Sequence, residues 1–160
     1  MSIIFIGGLF NEDNKEFIED NSTGVIQNAA DVLQKNFLKG MLNALYVDVE
    51  VISLPFVGSY PKRFKKFSFP SLDFMLFNKI PVKELGFINL MGVKYFSRLV
   101  SLFKHLVQRK EIGGSTVIIY SIHLPFIIPV VILKKIMSGR LNICLIVPDL
   151  PEFMSEDSGY

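Results

Sequence analysis

The stretch TVIIYSIHLPFIIPVVIL, Thr116 to Leu133, runs for eighteen residues without a charge. As one helix it would reach the lower length limit for crossing a bilayer. Its interior argues for two elements instead. Ser121 and His123 place polar groups in the middle of the run, and Pro125 and Pro129 would each remove a backbone donor from a spanning helix. A β-branched strand from Thr116 to Tyr120, a polar break, and a buried helix from Pro125 to Met137 account for every one of these residues. The spanning alternative leaves the polar pair and the prolines unexplained.

The same unit recurs outward from this point. Ser2 to Ile6 is a continuous apolar run closed by Gly7 and Gly8, as expected of a strand buried on both faces. An acidic loop from Asn11 to Asn21 follows, then a helix capped by Ser22 or Thr23 with Val25, Ala29, Val32, Leu33 and Phe37 along its apolar face. Gly40 ends or bends it. Tyr46 to Leu54 alternates as a second strand that Pro55 terminates. From Phe56 to Lys83 no period is legible, and Pro61, Pro70 and Pro81 divide clusters of aromatic and basic residues. Gly86 to Leu90 reads as strand three. The helix from Gly92 to Lys110 has the clearest amphipathic period: Val93, Phe96, Leu99, Val100, Phe103, Leu106 and Val107 share one face, while Lys94, Arg98, Lys104, His105, Arg109 and Lys110 share the other. Gly113 and Gly114 close it. Asn142 to Val147 is strand five.

Five strands alternating with helices predict an α/β domain, a Rossmann-like three-layer α/β/α arrangement with a mostly parallel sheet of about five or more strands. A chain of 160 residues holds one such domain, residues 1–160. Ligands on these sheets bind beyond the strand C-termini. That rule selects Gly7 and Gly8, Pro55 to Tyr60, Ser121 to Pro125, and Pro148 to Pro151.

Charge is unevenly placed. Residues 1–60 carry three basic and eight acidic side chains, 61–110 eleven and two, and 111–160 three and five. The middle segment thus faces an anionic partner: lipid, phosphorylated substrate or nucleic acid. Within it YPKRFKKFSF, Tyr60 to Phe69, interleaves aromatics with cations, which favours a membrane interface over a nucleic-acid surface. Lys62, Lys65 and Lys66, with Lys94 and Arg98 from the helix, are the expected membrane-facing residues. The start MSIIFIGGLF lacks the basic region and the length of a secretory signal. A lone cysteine, Cys144, reads as a buried packing residue in a reducing compartment. The expected location is cytoplasmic.

Several catalytic signatures are absent. IGGLF does not extend to a dinucleotide fingerprint, and no P-loop occurs. Ser121, His123 and Asp149 lie at strand ends but lack a nucleophile elbow, so a hydrolase triad is not expected. Two histidines without clustered acids make a poor metal set, and the Asp48–Glu50 pair sits inside a strand; no metal site is assigned. His105 reads as solvated. Ser22 to Val25, S-T-G-V, offers either a simple N-cap or free N–H groups for a phosphate.

The start SIIFIGG, the S-T-G-V helix start, Y-S-I-H-L-P at Tyr120 to Pro125, and above all C-L-I-V-P-D-L-P-E-F-M at Cys144 to Met154 resemble the N-terminal half of a bacterial family 4 glycosyltransferase of GT-B fold. The resemblance covers nearly the whole chain, in patches. It implies the acceptor-binding domain of a retaining hexosyltransferase that uses a UDP- or GDP-linked sugar as co-substrate, with no cofactor or metal. The acceptor would be a glycan or lipid-linked molecule in surface polysaccharide or glycoconjugate assembly. The second, donor-binding domain would lie outside these residues, leaving the fragment alone inactive. By the same resemblance Asp149 is the expected catalytic residue, His123 with Ser121 and Arg63 lies on the acceptor side, and Gly24 approaches the donor phosphate. The loop from Gly7 to Thr23 is longer and more acidic than the family's. Partners implied are an anionic membrane surface, at whose inner face the protein would sit peripherally, and the missing domain or a partner subunit, but no nucleic acid. Two alternatives stand beside this: a non-catalytic subunit that recruits a separate catalytic half to the membrane, and a stand-alone nucleotide-binding domain with flavodoxin-like strand order.

Overall fold

The computed structural model describes residues 2–44, 48–109, 112–138 and 140–148. Its elements run β1 (Ser2–Gly7), α1 (Lys15–Asn21), α2 (Asn28–Ala44), β2 (Asp48–Ser53), β3 (Ser68–Phe69), β4 (Leu72–Leu76), β5 (Ile80–Glu84), β6 (Phe87–Ile88), α3 (Lys94–Val107), β7 (Thr116–Tyr120), α4 (Leu124–Ile136) and β8 (Asn142–Ile146). The six-stranded sheet has the order β4-β5-β2-β1-β7-β8. Every pairing from β5 to β8 is parallel, and β4 adds an antiparallel edge. Numbered among themselves, the five parallel strands lie in the order 3-2-1-4-5, which reverses direction between β1 and β7. This is the doubly wound Rossmann-like order, not the flavodoxin-like one.

Alternation along each strand builds two cores. Ile4, Ile6, Ile52, Leu54, Val117 and Ile119 face α3 and α4, joining Leu102, Leu106, Phe126, Val130 and Leu133. Ile3, Phe5, Val49, Val51 and Ile118 face the other way, toward Leu38 and Met41 of α2. Central strands buried on both faces read as unbroken apolar runs for this reason. The break inside Thr116–Leu133 falls where the sequence places it, with His123 at the N-cap of α4 and proline in its first turn. Among the described residues no helix is long and apolar enough to cross a membrane.

The third parallel strand is β5 rather than Gly86 to Leu90, where only the two-residue β6 pairs antiparallel with β3. Pro81 is tolerated because β2 pairs with β5 only from Val82 onward. A tight turn joins β4 to β5, with Phe77 and Asn78 at positive φ and Lys79 N–H donating to the Leu76 carbonyl at 3.1 Å. The acidic loop contains α1, and α2 starts at Asn28, later than the Ser22 or Thr23 cap predicts, and continues through Gly40. Cys144 is exposed, not buried, because it lies on the open edge strand β8.

Both long helices are turned relative to their apolar stripes. On α2 the inward residues are Asp31, Gln34, Leu38 and Met41, while Val32 and Leu33 are exposed. Two polar groups point in because the β1 exit needs them: Gln34 Oε1 accepts the Gly8 N–H at 2.9 Å, and Asp31 Oδ1 accepts the Phe10 N–H at 2.8 Å. On α3 the inward residues are Lys94, Arg98, Leu102 and Leu106, and Phe96, Val100 and Val107 face out. The expectation that Lys94 and Arg98 face a membrane is therefore overturned: they are 7% and 1% exposed.

Candidate binding site

A cavity of about 710 Å³ opens at the C-terminal ends of β1, β2, β7 and β8, where the strand order reverses. Open α/β sheets bind ligands there because neighbouring loops depart to opposite faces and leave a crevice. One wall is the non-helical segment before α2, from Ser22 to Gln27; opposite stand the β2 exit, the start of α3, and the β7 exit at Ser121 and His123. Pro148 lines it as well. Among the described residues no carboxylate does.

Its cations come from α3. Lys94 and Arg98, one turn apart, project to the same side and serve carbonyls that β2 leaves unpaired as it ends. Lys94 Nζ donates to the Val57 carbonyl, and the Arg98 guanidinium donates to that of Leu54 and, at 3.2 Å, to that of Pro55. Three aromatic rings surround the guanidinium: Phe87 at 5.0 Å, Phe126 at 5.3 Å and Phe56 at 5.6 Å from ring centre. Their faces attract it, which helps a charge survive burial. Arg98 Nε has no hydrogen-bond partner among the described residues. Among the described residues no acid pairs with either cation.

Burial pulls Arg98 down to about 9, and burial together with the neighbouring Arg98 charge pulls Lys94 down to about 8. Both remain cationic at neutral pH. His123 is pushed down to about 3, first by burial and then by the Arg98 and Lys94 charges, so its imidazole is neutral. Its ring meets Phe126 at 4.7 Å, Tyr95 at 5.6 Å and Phe56 at 5.8 Å, and Nε2 is buried without a hydrogen-bond partner among the described residues. Ser121 beside it holds φ at 76°, a strained conformation for a residue with a side chain. The Ser121 N–H is anchored on the Ile146 carbonyl at 2.8 Å.

Arg63 reaches the rim from the basic loop. Its N–H donates to the Ser59 carbonyl at 2.9 Å and its carbonyl accepts the Thr23 N–H at 3.0 Å, tying the loop to the opposite wall. Gly58 makes the fold-back possible: a Cβ there would stand 2.3 Å from the Arg63 Cβ. Arg63, Ser121 and His123 are thus brought together as the sequence suggests. Gly24, at φ 110°, lies within the wall segment but four residues before α2, so it is not at a helix N-terminus. Asp149 lies outside the described residues. Lys62, Lys65 and Lys66 are exposed, and Lys65 Nζ donates to the Asp20 carbonyl at 2.7 Å.

Sequence reasoning selected Pro55 to Tyr60, which includes the wall residue Phe56, but missed Lys94 and Arg98 as site residues and Tyr95 as a wall. The signal was an i, i+4 cation pair in the first turns of a helix, but amphipathicity placed it on the outer, membrane-facing side. Far from the cavity, at the opposite end of the sheet, Glu50 is engaged by Arg109 through both carboxylate oxygens, which makes it a structural ion pair. No protein-family model, curated protein or solved structure matches the chain.

Proposed function

We propose that this chain is the acceptor-binding domain of a retaining, sugar-nucleotide-dependent glycosyltransferase, and that its acceptor carries a phosphate. The observation behind this reading is a pocket at the reversal point of the sheet that gathers Arg63, Lys94 and Arg98, with no carboxylate among the described residues of its wall. Such a pocket favours an anion, and ionised donors bind phosphate oxygens through short, charge-assisted hydrogen bonds. The doubly wound fold is also that of each half of a GT-B enzyme, in which the donor sugar nucleotide is held mainly by a second domain.

Each group then has a task. The cations hold the phosphate of a glycan or lipid-linked acceptor at the inner membrane face. Neutral His123, with an unused ring nitrogen, hydrogen-bonds a sugar hydroxyl instead of competing for the phosphate. Tyr95 and Phe56 supply aromatic walls suited to a sugar or to the first carbons of a lipid. Asp149, next in the chain to pocket-lining Pro148, keeps the catalytic role implied by the motif.

Calorimetry on the whole chain tests the reading. A short-chain lipid pyrophosphoryl sugar should bind, its unphosphorylated glycoside should bind far more weakly, and Arg98→Met should weaken the former by at least about tenfold. Flavin or adenine nucleotides binding more tightly than either the phosphorylated glycan or UDP- and GDP-sugars would sink it and favour a stand-alone nucleotide-binding domain.

A further inference from the structure

The turning of α3 that carries its cations inward leaves its apolar stripe outward. Phe96 is 68% exposed, and Val100 and Val107 follow it along the same side. The packed neighbour α4 is apolar all round, and Ile128, Ile132 and Ile136 of that helix are exposed too. Monomeric soluble proteins seldom leave so many large apolar groups together in water. Something covers this face.

Its charges say what. Neither α3 nor α4 contains an acidic residue, and their charged groups away from the pocket include Lys104, Lys134 and Lys135 in the last turns. On the other flank of α3 the basic aromatic loop is held in place by backbone bonds, Asn89 N–H to the Phe67 carbonyl at 2.6 Å and Met91 N–H to the Tyr60 carbonyl at 3.1 Å. That brings exposed Lys62, Lys66 and Phe67 to the edge of the face, while Lys65 Nζ donates to the Asp20 carbonyl of α1. An apolar centre with an aromatic fringe and lysines on both borders matches the layered chemistry of a bilayer interface: acyl chains within, anionic headgroups around. A protein partner would have to be both apolar and acidic in the same pattern.

We propose that the outer face of α3 and α4, bordered by the loop from Tyr60 to Phe67, docks in the headgroup layer of an anionic membrane. Docking is by shallow apolar insertion supported by lysines, not by Lys94 and Arg98, which are buried. Tyr95 and Leu124 join this face to the cavity, since Tyr95 lines it, Leu124 follows pocket residue His123, and both are exposed. A phosphate carried on a membrane lipid would therefore meet Lys94 and Arg98 at the edge of the same surface. The surface rests on the pocket reading only for this last step.

Co-sedimentation of the full chain with vesicles of phosphatidylcholine, with and without phosphatidylglycerol, tests the surface without sugar transfer. Binding is expected to the anionic vesicles, to weaken but persist in about 0.5 M salt, and to fall at least about tenfold in Phe96→Ser/Val100→Ser. These positions face solvent, so far-UV circular dichroism and pyrophosphate binding should be unchanged and serve as the folding control. No binding to anionic vesicles, or binding indifferent to the double substitution, overturns the proposal. So does a concentration-dependent dimer that the same substitutions convert to monomer, which would make a second copy the occupant. Vesicle binding without phosphorylated-glycan binding would uphold the surface and reject the pocket reading.

Discussion

Glu84 shows how much a single residue can tax this fold. It closes β5 fully buried, with Asn14 Nδ2 at 3.5 Å from one oxygen and no partner for the other among the described residues. Burial raises its carboxyl from the ordinary 4.5 to about 7, and the Asn14 contact opposes this only in part. The group is neutral in both folded and unfolded chains below about 4.5. As pH rises toward about 7 the unfolded chain gives up its proton first, and stability is lost across that window. The cost above it is on the order of 3 kcal/mol. Glu84→Gln should remove the dependence, so urea midpoints of the two proteins should coincide near pH 4.5 and diverge, with the variant more stable, by about pH 8. Lys94 titrates in the opposite sense. Its charge is lost as pH rises through about 8, and that of Arg98 begins to follow toward about 9, so pyrophosphate affinity measured from about pH 7 to 9 should decline; a flat profile would leave the anion to Arg63 alone. Ser121 and His123 fall where the strand-end rule of a parallel sheet points, whereas Arg63 came only from the family resemblance; all three line the cavity. Lys94 and Arg98 were not legible as site residues, because their burial depends on carbonyls and aromatic rings contributed by segments far away in sequence.

Among elements, period and orientation separate. The helical period of α3 is plain in the sequence, yet which side of it meets the sheet is decided by the ends of β2, whose unpaired carbonyls call for donors. For α2 the same holds, with Asp31 and Gln34 turned inward to receive N–H groups of the β1 exit. The glycine pair at that exit serves packing. A Cβ on Gly8 would stand 2.4 Å from the Phe56 ring, and one on Gly7 2.1 Å from Gln34 Oε1. Gly8→Ala should therefore displace Phe56, lower stability by about 1 to 3 kcal/mol by overpacking, and weaken anion binding as well, because Phe56 flanks both Arg98 and His123. Unchanged ligand affinity in a destabilised Gly8→Ala protein would show that the ring is not needed to hold the cations. β4 and β5 escaped sequence reading because prolines and mixed basic-aromatic composition mask a hairpin whose register is set by its turn.

At the scale of the whole molecule the sequence was most legible. Continuous apolar runs at Ser2 to Ile6 and Thr116 to Tyr120, each followed by a helix, dictate a parallel sheet, and right-handed crossovers then leave few topologies. The position of the cavity follows from the topology alone. Its charge does not, since that depends on the turning of α3.

That helix has one more property. Arg109 grips Glu50 near the start of β2, and Lys94 and Arg98 grip the carbonyls just past its end. The 14-residue α3 spans roughly 21 Å, with Arg109 just past its last turn, while Glu50 lies inside β2 and Leu54 and Val57 lie beyond its Ser53 end. Helix and strand are thus riveted at both ends like the members of a truss, and neither can slide along the other without breaking an ionic contact. The cations stand in position before any anion arrives, so binding forfeits little freedom in the protein. Loosening the far rivet at Glu50 would soften a site it never touches.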